Sequence, residues 1–220
     1  MAQAATEVLE QAELDALLAQ VNTRTPSGAR NYALLQLMAQ TGLRCGEALQ
    51  VKPGDIRQEE WGTNGDKAKL WVLRLPASAT KGKKPRQGIP LAPVTRQALE
   101  LWQEKRSKLG LKGGPLFCTI SAGTRCAGFA RGQGHLEPGE PLDARYVRQL
   151  VKRLASKASI ERRVHPHMLR HTALTALYDK THDLRLVQHV AGHTTSRMTE
   201  RYTHVRPIAV AEAMGALGSE

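Results

Sequence analysis

Acidic side chains are in short supply in this sequence: 20 Asp and Glu stand against 32 Lys and Arg, for a formal charge of +12. Such an imbalance favours a polyanion as partner, through direct attraction and the release of condensed counterions. Cysteine is scarcer still. Cys45, Cys118 and Cys126 are too few and too scattered for a disulfide framework or a zinc ribbon. They read as reduced thiols, which places the protein in the cytoplasm. No apolar run approaches the roughly 20 residues of a membrane-spanning helix, so no membrane partner is expected. The first residues lack a charged segment followed by an apolar one, so no secretory signal is expected. Internal repeats and low-complexity segments are also missing. What is present is an ordinary globular balance, 41% hydrophobic and 24% charged over 220 residues. That is enough for one substantial core and short for two full domains.

Taken in order, the chain begins with a helix expected over residues 6–21. Thr6 is its candidate cap, and Leu9, Leu14, Leu17, Leu18 and Val21 form its apolar stripe. Pro26, Ser27 and Gly28 read as a break, and a second helix follows from Ala29 to Gln40. Gly42 ends it. Arg44 then opens a short helix, with Glu47 placed to reach back as a helix-start acid. Residues 66–91 change period: 69–75 is a strand by its β-branched and aromatic content, and 87–91 is a shorter partner. Between them lie Lys81, Lys83, Lys84 and Arg86, four cations in six residues, suited to a phosphate-facing finger.

A long helix is expected over 92–109, with Pro93 at an early position. Residues 110–141 hold eight glycines and three prolines and read as loop, with one short extended piece at 116–120. Cys118, Cys126 and His135 fall here, but their spacing fits no zinc pattern, and no metal site is assigned. Asp143 caps a basic amphipathic helix over 144–157, in which Arg145, Arg148 and Lys152 suit a nucleic-acid groove.

The last stretch concentrates reactive side chains. Val-His-Pro-His167-Met-Leu-Arg170-His171 opens a helix expected to run to Leu177, with Pro166 fixing its entry. His167 and Arg170, three apart, share one face of it, while Leu169, Ala173 and Leu177 pack on another. Asp183 starts another helix over 184–190, stopped by Gly192, and His193 follows directly. Tyr202 and His204 close the series. Cleaving a phosphodiester by transfer to protein needs a nucleophile, charge compensation on the phosphoryl oxygens and a proton for the leaving oxygen. These residue types supply all three.

In Thr-Gly-Leu-Arg44-Cys-Gly-Glu47, the lysine-bearing hairpin, His167-Met-Leu-Arg170-His171, Ala-Gly-His193 and Arg-Tyr202-Thr-His204, the sequence resembles the tyrosine recombinase (phage integrase) family. The five boxes agree in order and cover residues 6–205, leaving 206–220 as a tail. The resemblance implies one catalytic domain that is mostly α with a small antiparallel β-sheet. It implies a site-specific recombinase that cuts and rejoins double-stranded DNA through a 3′-phosphotyrosyl intermediate, without metal, nucleotide or other cofactor. Arg44, Lys81, His167, Arg170, His193 and Tyr202 are then catalytic, with Lys83 as rival to Lys81, and Glu47 orients Arg44. Lys83, Lys84, Arg86, Arg145, Arg148 and Lys152 are the DNA-binding expectation. The 207–217 run, with Val210, Met214 and Leu217 on one face, is expected to dock on a neighbouring copy on DNA. Family members usually carry a separate N-terminal DNA-clamping domain, and here the catalytic domain begins almost at Met1. The residues leave two alternatives open: relaxation of supercoils like a type IB topoisomerase, and a non-catalytic DNA-binding accessory role.

Overall fold

The second helix sits inside the protein, buried around most of its circumference, with Arg30, Asn31 and Thr41 enclosed beside its leucines. In the computed structural model, which describes residues 8–61, 68–80, 85–121, 123–124 and 135–192, this helix, α2 (Pro26–Thr41), is preceded by α1 (Gln11–Ala19). Leu34, Leu35, Leu37 and Met38 of α2 are inaccessible to solvent. Burying each such side chain contributes roughly 1.5–3 kcal/mol. The helix starts earlier than the sequence reading placed it. Thr25 caps it, accepting from the Gly28 amide at 3.1 Å, and Pro26 occupies the first turn. A proline is tolerated there because its missing N–H would lack a helical partner anyway. At the other end Gly42 takes a left-handed conformation (φ 63°), and its amide donates to the Met38 carbonyl at 3.1 Å.

The first helix, by contrast, is shorter than expected. It begins at Gln11, where the Glu10 amide donates to the Glu13 carboxylate at 2.8 Å. Thr6, the expected cap, lies outside the described residues. Leu9 is held instead by a tertiary contact, its amide donating to Thr172 Oγ1 at 2.8 Å. Arg162 adds an ion pair to Glu13 and a bond to the Val8 carbonyl.

After the single-turn helix α3 (Cys45–Ala48) come three antiparallel strands in the order β1-β2-β3: β1 (Ile56–Trp61), β2 (Ala68–Leu75) and β3 (Arg86–Pro90). The two expected strands are present. The edge strand β1 was not anticipated, because its polar sequence lacks a β-forming pattern of its own. Its support is long-range: Arg74 of β2 grips the Glu59 carboxylate with Nε and Nη2 at 2.6 and 2.7 Å. Charged side chains on an edge also discourage pairing with foreign strands.

Helix α4 (Pro93–Lys108) packs on α2, and its Trp102 indole N–H donates to the Leu116 carbonyl at 2.8 Å. Inside the stretch read as loop, Cys118 bridges Pro141, and β4 (Gly123–Thr124) pairs with β5 (His135–Leu136). Helices α5 (Ala144–Lys157), α6 (Pro166–Thr181) and α7 (Leu184–Ala191) follow, α6 running one turn past the expected end. Asp143 caps α5 through the Arg145 amide and Asp183 caps α7 through those of Arg185 and Leu186. The domain is mostly α with a small antiparallel sheet, as expected. Among the described residues no helix is long and apolar enough to cross a membrane.

Candidate active site

The break after α2 creates the first part of the site. With Gly42 turning the chain, Arg44 becomes the residue that precedes α3, and Glu47 faces back across one turn. The Glu47 carboxylate accepts from the Arg44 amide and from Arg44 Nη1, both at 3.0 Å. It also accepts from Arg86 Nη2 at 3.0 Å. Glu47 is 3% exposed. Burial by itself would raise its carboxyl, but the Arg86 charge, the Arg44 amide and the Arg44 guanidinium outweigh it and hold the group below the ordinary carboxylate value. Arg44 remains a quarter exposed and faces solvent on its other side.

Arg86 corrects the sequence reading. Expected with Lys83 and Lys84 as a DNA-facing cation, it is instead 5% exposed, locked to Glu47 and donating through Nη1 to the Val190 carbonyl at 2.6 Å. It is the first residue of β3 and points inward, which the basic run around it conceals. Lys81, Lys83 and Lys84 lie outside the described residues.

Arg170 is also inside, at 1% exposure. It donates through Nη1 to the Gly42 carbonyl and through Nη2 to the Ala191 carbonyl at 3.0 Å. The guanidinium plane is thus fixed between the end of α2 and the end of α7. His167, one turn earlier, is exposed, with its ring 4.3 Å from that of His171 in an edge-on contact. The expectation of one polar face carrying both residues therefore needs amending. His167 stands at the surface, while Arg170 reaches the same place from the interior.

That place is a pocket of about 360 Å³. Arg44, Arg148, Arg163, Arg170, His165 and His167 line it, and among the described residues no carboxylate does. Such a lining is built for an anion, and guanidinium forks match phosphoryl oxygens. Arg148 was expected at the DNA; Arg163 and His165 were missed. The signal was available, since Arg163 and His165 alternate in the extended approach to Pro166, where alternate residues share a side, and His167 follows in the first turn of α6. Cys45 lines the pocket too. Its thiol is pushed up to about 11 by burial, with Asp143 adding to the rise and Arg148 opposing it. It is therefore protonated at neutral pH, not a nucleophile.

Arg145 and Lys152 lie exposed on α5 with Arg148. His193, Tyr202 and the 207–217 run lie outside the described residues, as do Cys126 and the side chain of His135. The structure thus brings together Arg44, Glu47, His167 and Arg170.

A model of the phage integrase family matches residues 7–207. The chain is 33% identical over 197 residues to tyrosine recombinase XerC of Bacillus licheniformis, an alignment covering 90% of this chain and 56% of that protein. It thus spans about half the length of such relatives. Among solved structures it resembles the XerH site-specific recombinase bound to palindromic difH substrate, in a post-cleavage complex. The TM-score is 0.71 at 28% identity, over 98% of this chain and 54% of that one. The catalytic domain of bacteriophage HP1 integrase shares the fold from end to end, with a TM-score of 0.52 at 21% identity over 94% of this chain and 93% of that one.

Proposed function

The chain belongs to the phage integrase family, and on that premise we propose that it is a site-specific tyrosine recombinase that breaks and rejoins double-stranded DNA. One observation carries the reading: Arg44, far in sequence from His167 and Arg170, lines one pocket with them, and among the described residues no carboxylate lines it. Residues 6–205 are the catalytic unit in this reading.

The chemistry follows from the side chains. Arg44 and Arg170 grip the non-bridging oxygens and stabilise the charge that builds on them as phosphorus becomes five-coordinate. The Tyr202 phenol loses its proton to His167, and its oxygen bonds to phosphorus. The bond to the 5′-oxygen breaks, and that oxygen keeps the electron pair and takes a proton from Lys81, or from its neighbour Lys83. The product is a 3′-phosphotyrosyl link and a free 5′-hydroxyl. Attack by a 5′-hydroxyl reverses the step, so the bond energy is conserved and no nucleotide is consumed. His193 donates a hydrogen bond to the phosphoryl group. A phenol near pKa 10 needs the surrounding cations to ionise at neutral pH, and the pocket provides them.

DNA is the partner in this reading because Arg148 lines the pocket and stands exposed on α5 with Arg145 and Lys152, and Lys83 and Lys84 add to the basic sequence before β3. The 207–217 run is the segment we assign to docking between copies on DNA. The cytoplasm is the compartment we assign, in keeping with the free thiols of Cys45 and Cys118.

A substrate nicked next to the scissile phosphate tests the proposal, because the short piece bearing the free 5′-hydroxyl diffuses away and leaves the covalent adduct trapped. Adduct from the native protein and none from Tyr202→Phe is the expected result; an equal adduct from the variant overturns it. Supercoil relaxation without recombinant products would instead mark a topoisomerase, and DNA binding with no adduct on any nicked target an accessory protein.

A further inference from the structure

Three segments of the site meet at one side chain that none of the assigned roles uses. Arg86 is the first residue of β3, so it opens the strand that follows Lys81 and Lys83 in sequence. Its Nη2 donates to Glu47 Oε2, the oxygen that also accepts from the Arg44 amide, while Glu47 Oε1 takes Arg44 Nη1. Its Nη1 donates to the Val190 carbonyl in the last turn of α7. The guanidinium also fills the space beside Gly192. A Cβ on that glycine would stand 2.4 Å from Arg86 Nη1 and 2.5 Å from Cζ. Gly192 has φ 57°, and the next residue in sequence is His193.

We propose that Arg86 is a positioning residue for DNA cleavage: it holds the Arg44 fork, the start of β3 and the turn at Gly192, which His193 follows in sequence, in one register. The proposal rests on the recombinase reading. Two physical effects are combined in it. The first is geometric. A planar fork that bonds a carboxylate on one side and a carbonyl on the other fixes three backbone segments at once, which a lysine's single ammonium cannot do. The second is electrostatic. Glu47 is faced, among the described residues, by Arg44 from its own turn and by Arg86 from β3, and α7 contributes only the Val190 carbonyl to the cluster. With one carboxylate shared between two guanidiniums, Arg86 takes part of the negative charge, and Arg44 keeps more of its own for the phosphate. Without Arg86 the whole carboxylate falls to Arg44, drawing it back from the pocket and cancelling its charge.

A purely structural ion pair makes a different prediction, which allows a test. Replacing both members of a buried pair by neutral groups typically restores stability, whereas removing one does not. We therefore expect Arg86→Met to lower the melting temperature and the double variant Arg86→Met/Glu47→Gln to recover most of it. The single-turnover cleavage rate on a nicked substrate should remain at least roughly tenfold down in both, as misplaced catalytic groups cost that much or more. Arg86→Lys keeps the charge and loses the fork. It should fold, bind DNA as the native protein does, and cleave at least roughly tenfold more slowly. With Nζ reaching Glu47 less well, the acid limb of its rate profile should move to higher pH, because the buried carboxyl then protonates more readily.

Recovery of both melting temperature and rate in the double variant, or a native rate and pH profile in Arg86→Lys, overturns the proposal. A second readout does not depend on activity. In histidine-labelled protein the His193 resonance, identified by its loss in His193→Asn, should shift in Arg86→Lys; an unmoved resonance contradicts the proposal. Should the native protein form no adduct at all, the recombinase reading fails, and the His193 resonance still decides whether Arg86 sets that turn.

Discussion

Arg170 Nη2 donates to the Ala191 carbonyl at 3.0 Å, tying the buried first half of α6 to the last residue of α7. Its Nη1 reaches the Gly42 carbonyl, so one guanidinium serves two helix ends and the pocket. A lysine here carries the charge and cannot span both carbonyls. Arg170→Lys should lose about 1–3 kcal/mol of stability for the buried acceptor left without a partner. Its cleavage rate should drop about 10²–10³-fold, the scale for a lost oxyanion donor. Urea unfolding and single-turnover cleavage check the two losses separately.

Glu47 is a buried acid between two arginines, so its removal exposes their repulsion. Glu47→Gln should cost about 3–5 kcal/mol, as for breaking a buried pair from one side. The pH dependence has a definite sign. The folded carboxyl lies below its unfolded value, so its contribution is complete above the unfolded value of about 4.3 and is lost as pH falls through the lower folded value. The native protein should therefore lose stability on acidification through that window more steeply than Glu47→Gln. Chemical denaturation from pH 6 downward measures both slopes.

Gly192 is fixed by its neighbour as much as by its backbone. A left-handed conformation costs an alanine roughly 1–2 kcal/mol, and at this position the added Cβ also falls on the Arg86 guanidinium. Gly192→Ala should lower the melting temperature and slow cleavage. At Gly42, where a Cβ would meet the Leu174 side chain 3.1 Å away, alanine should destabilise comparably through α6 packing. Thermal melts of both variants, with cleavage rates, make the comparison.

Much of this was legible in the sequence, and the exceptions share a cause. Apolar periodicity located α2, α4, α5 and α6, and local capping residues located the starts of α5 and α7, because each signal lies within a few residues of the element it defines. Glu47 reaching back to Arg44 was legible for the same reason. β1 was not, since its support comes from Arg74 fifteen residues away. Arg86 was misread because a cation among cations looks solvent-facing, and its partners Glu47 and Val190 are 39 and 104 residues distant. The inward turn of Arg170 depends likewise on Gly42 and Ala191, which no window around residue 170 contains together.

Arg148 and Lys152 stand one turn apart on the exposed side of α5, and Arg148 lines the anion pocket. If they neutralise DNA phosphates, each alanine variant should reduce the slope of log affinity against log salt by about 1. Affinity should weaken for all sequences alike. Binding titrations at several salt concentrations measure the slope; an unchanged slope would remove these residues from the DNA interface.

The most direct measurement is the mass of the peptide left on DNA after cleavage. Adduct trapped on a nicked duplex is digested with protease and nuclease and the conjugate sequenced by tandem mass spectrometry. The phosphate should be found on Tyr202, joined to the 3′ end of the cut strand. A conjugate on any other residue, or a phosphate joined to the 5′ end, would contradict a cleavage site built from Arg44, Arg170 and His167 around that phenol.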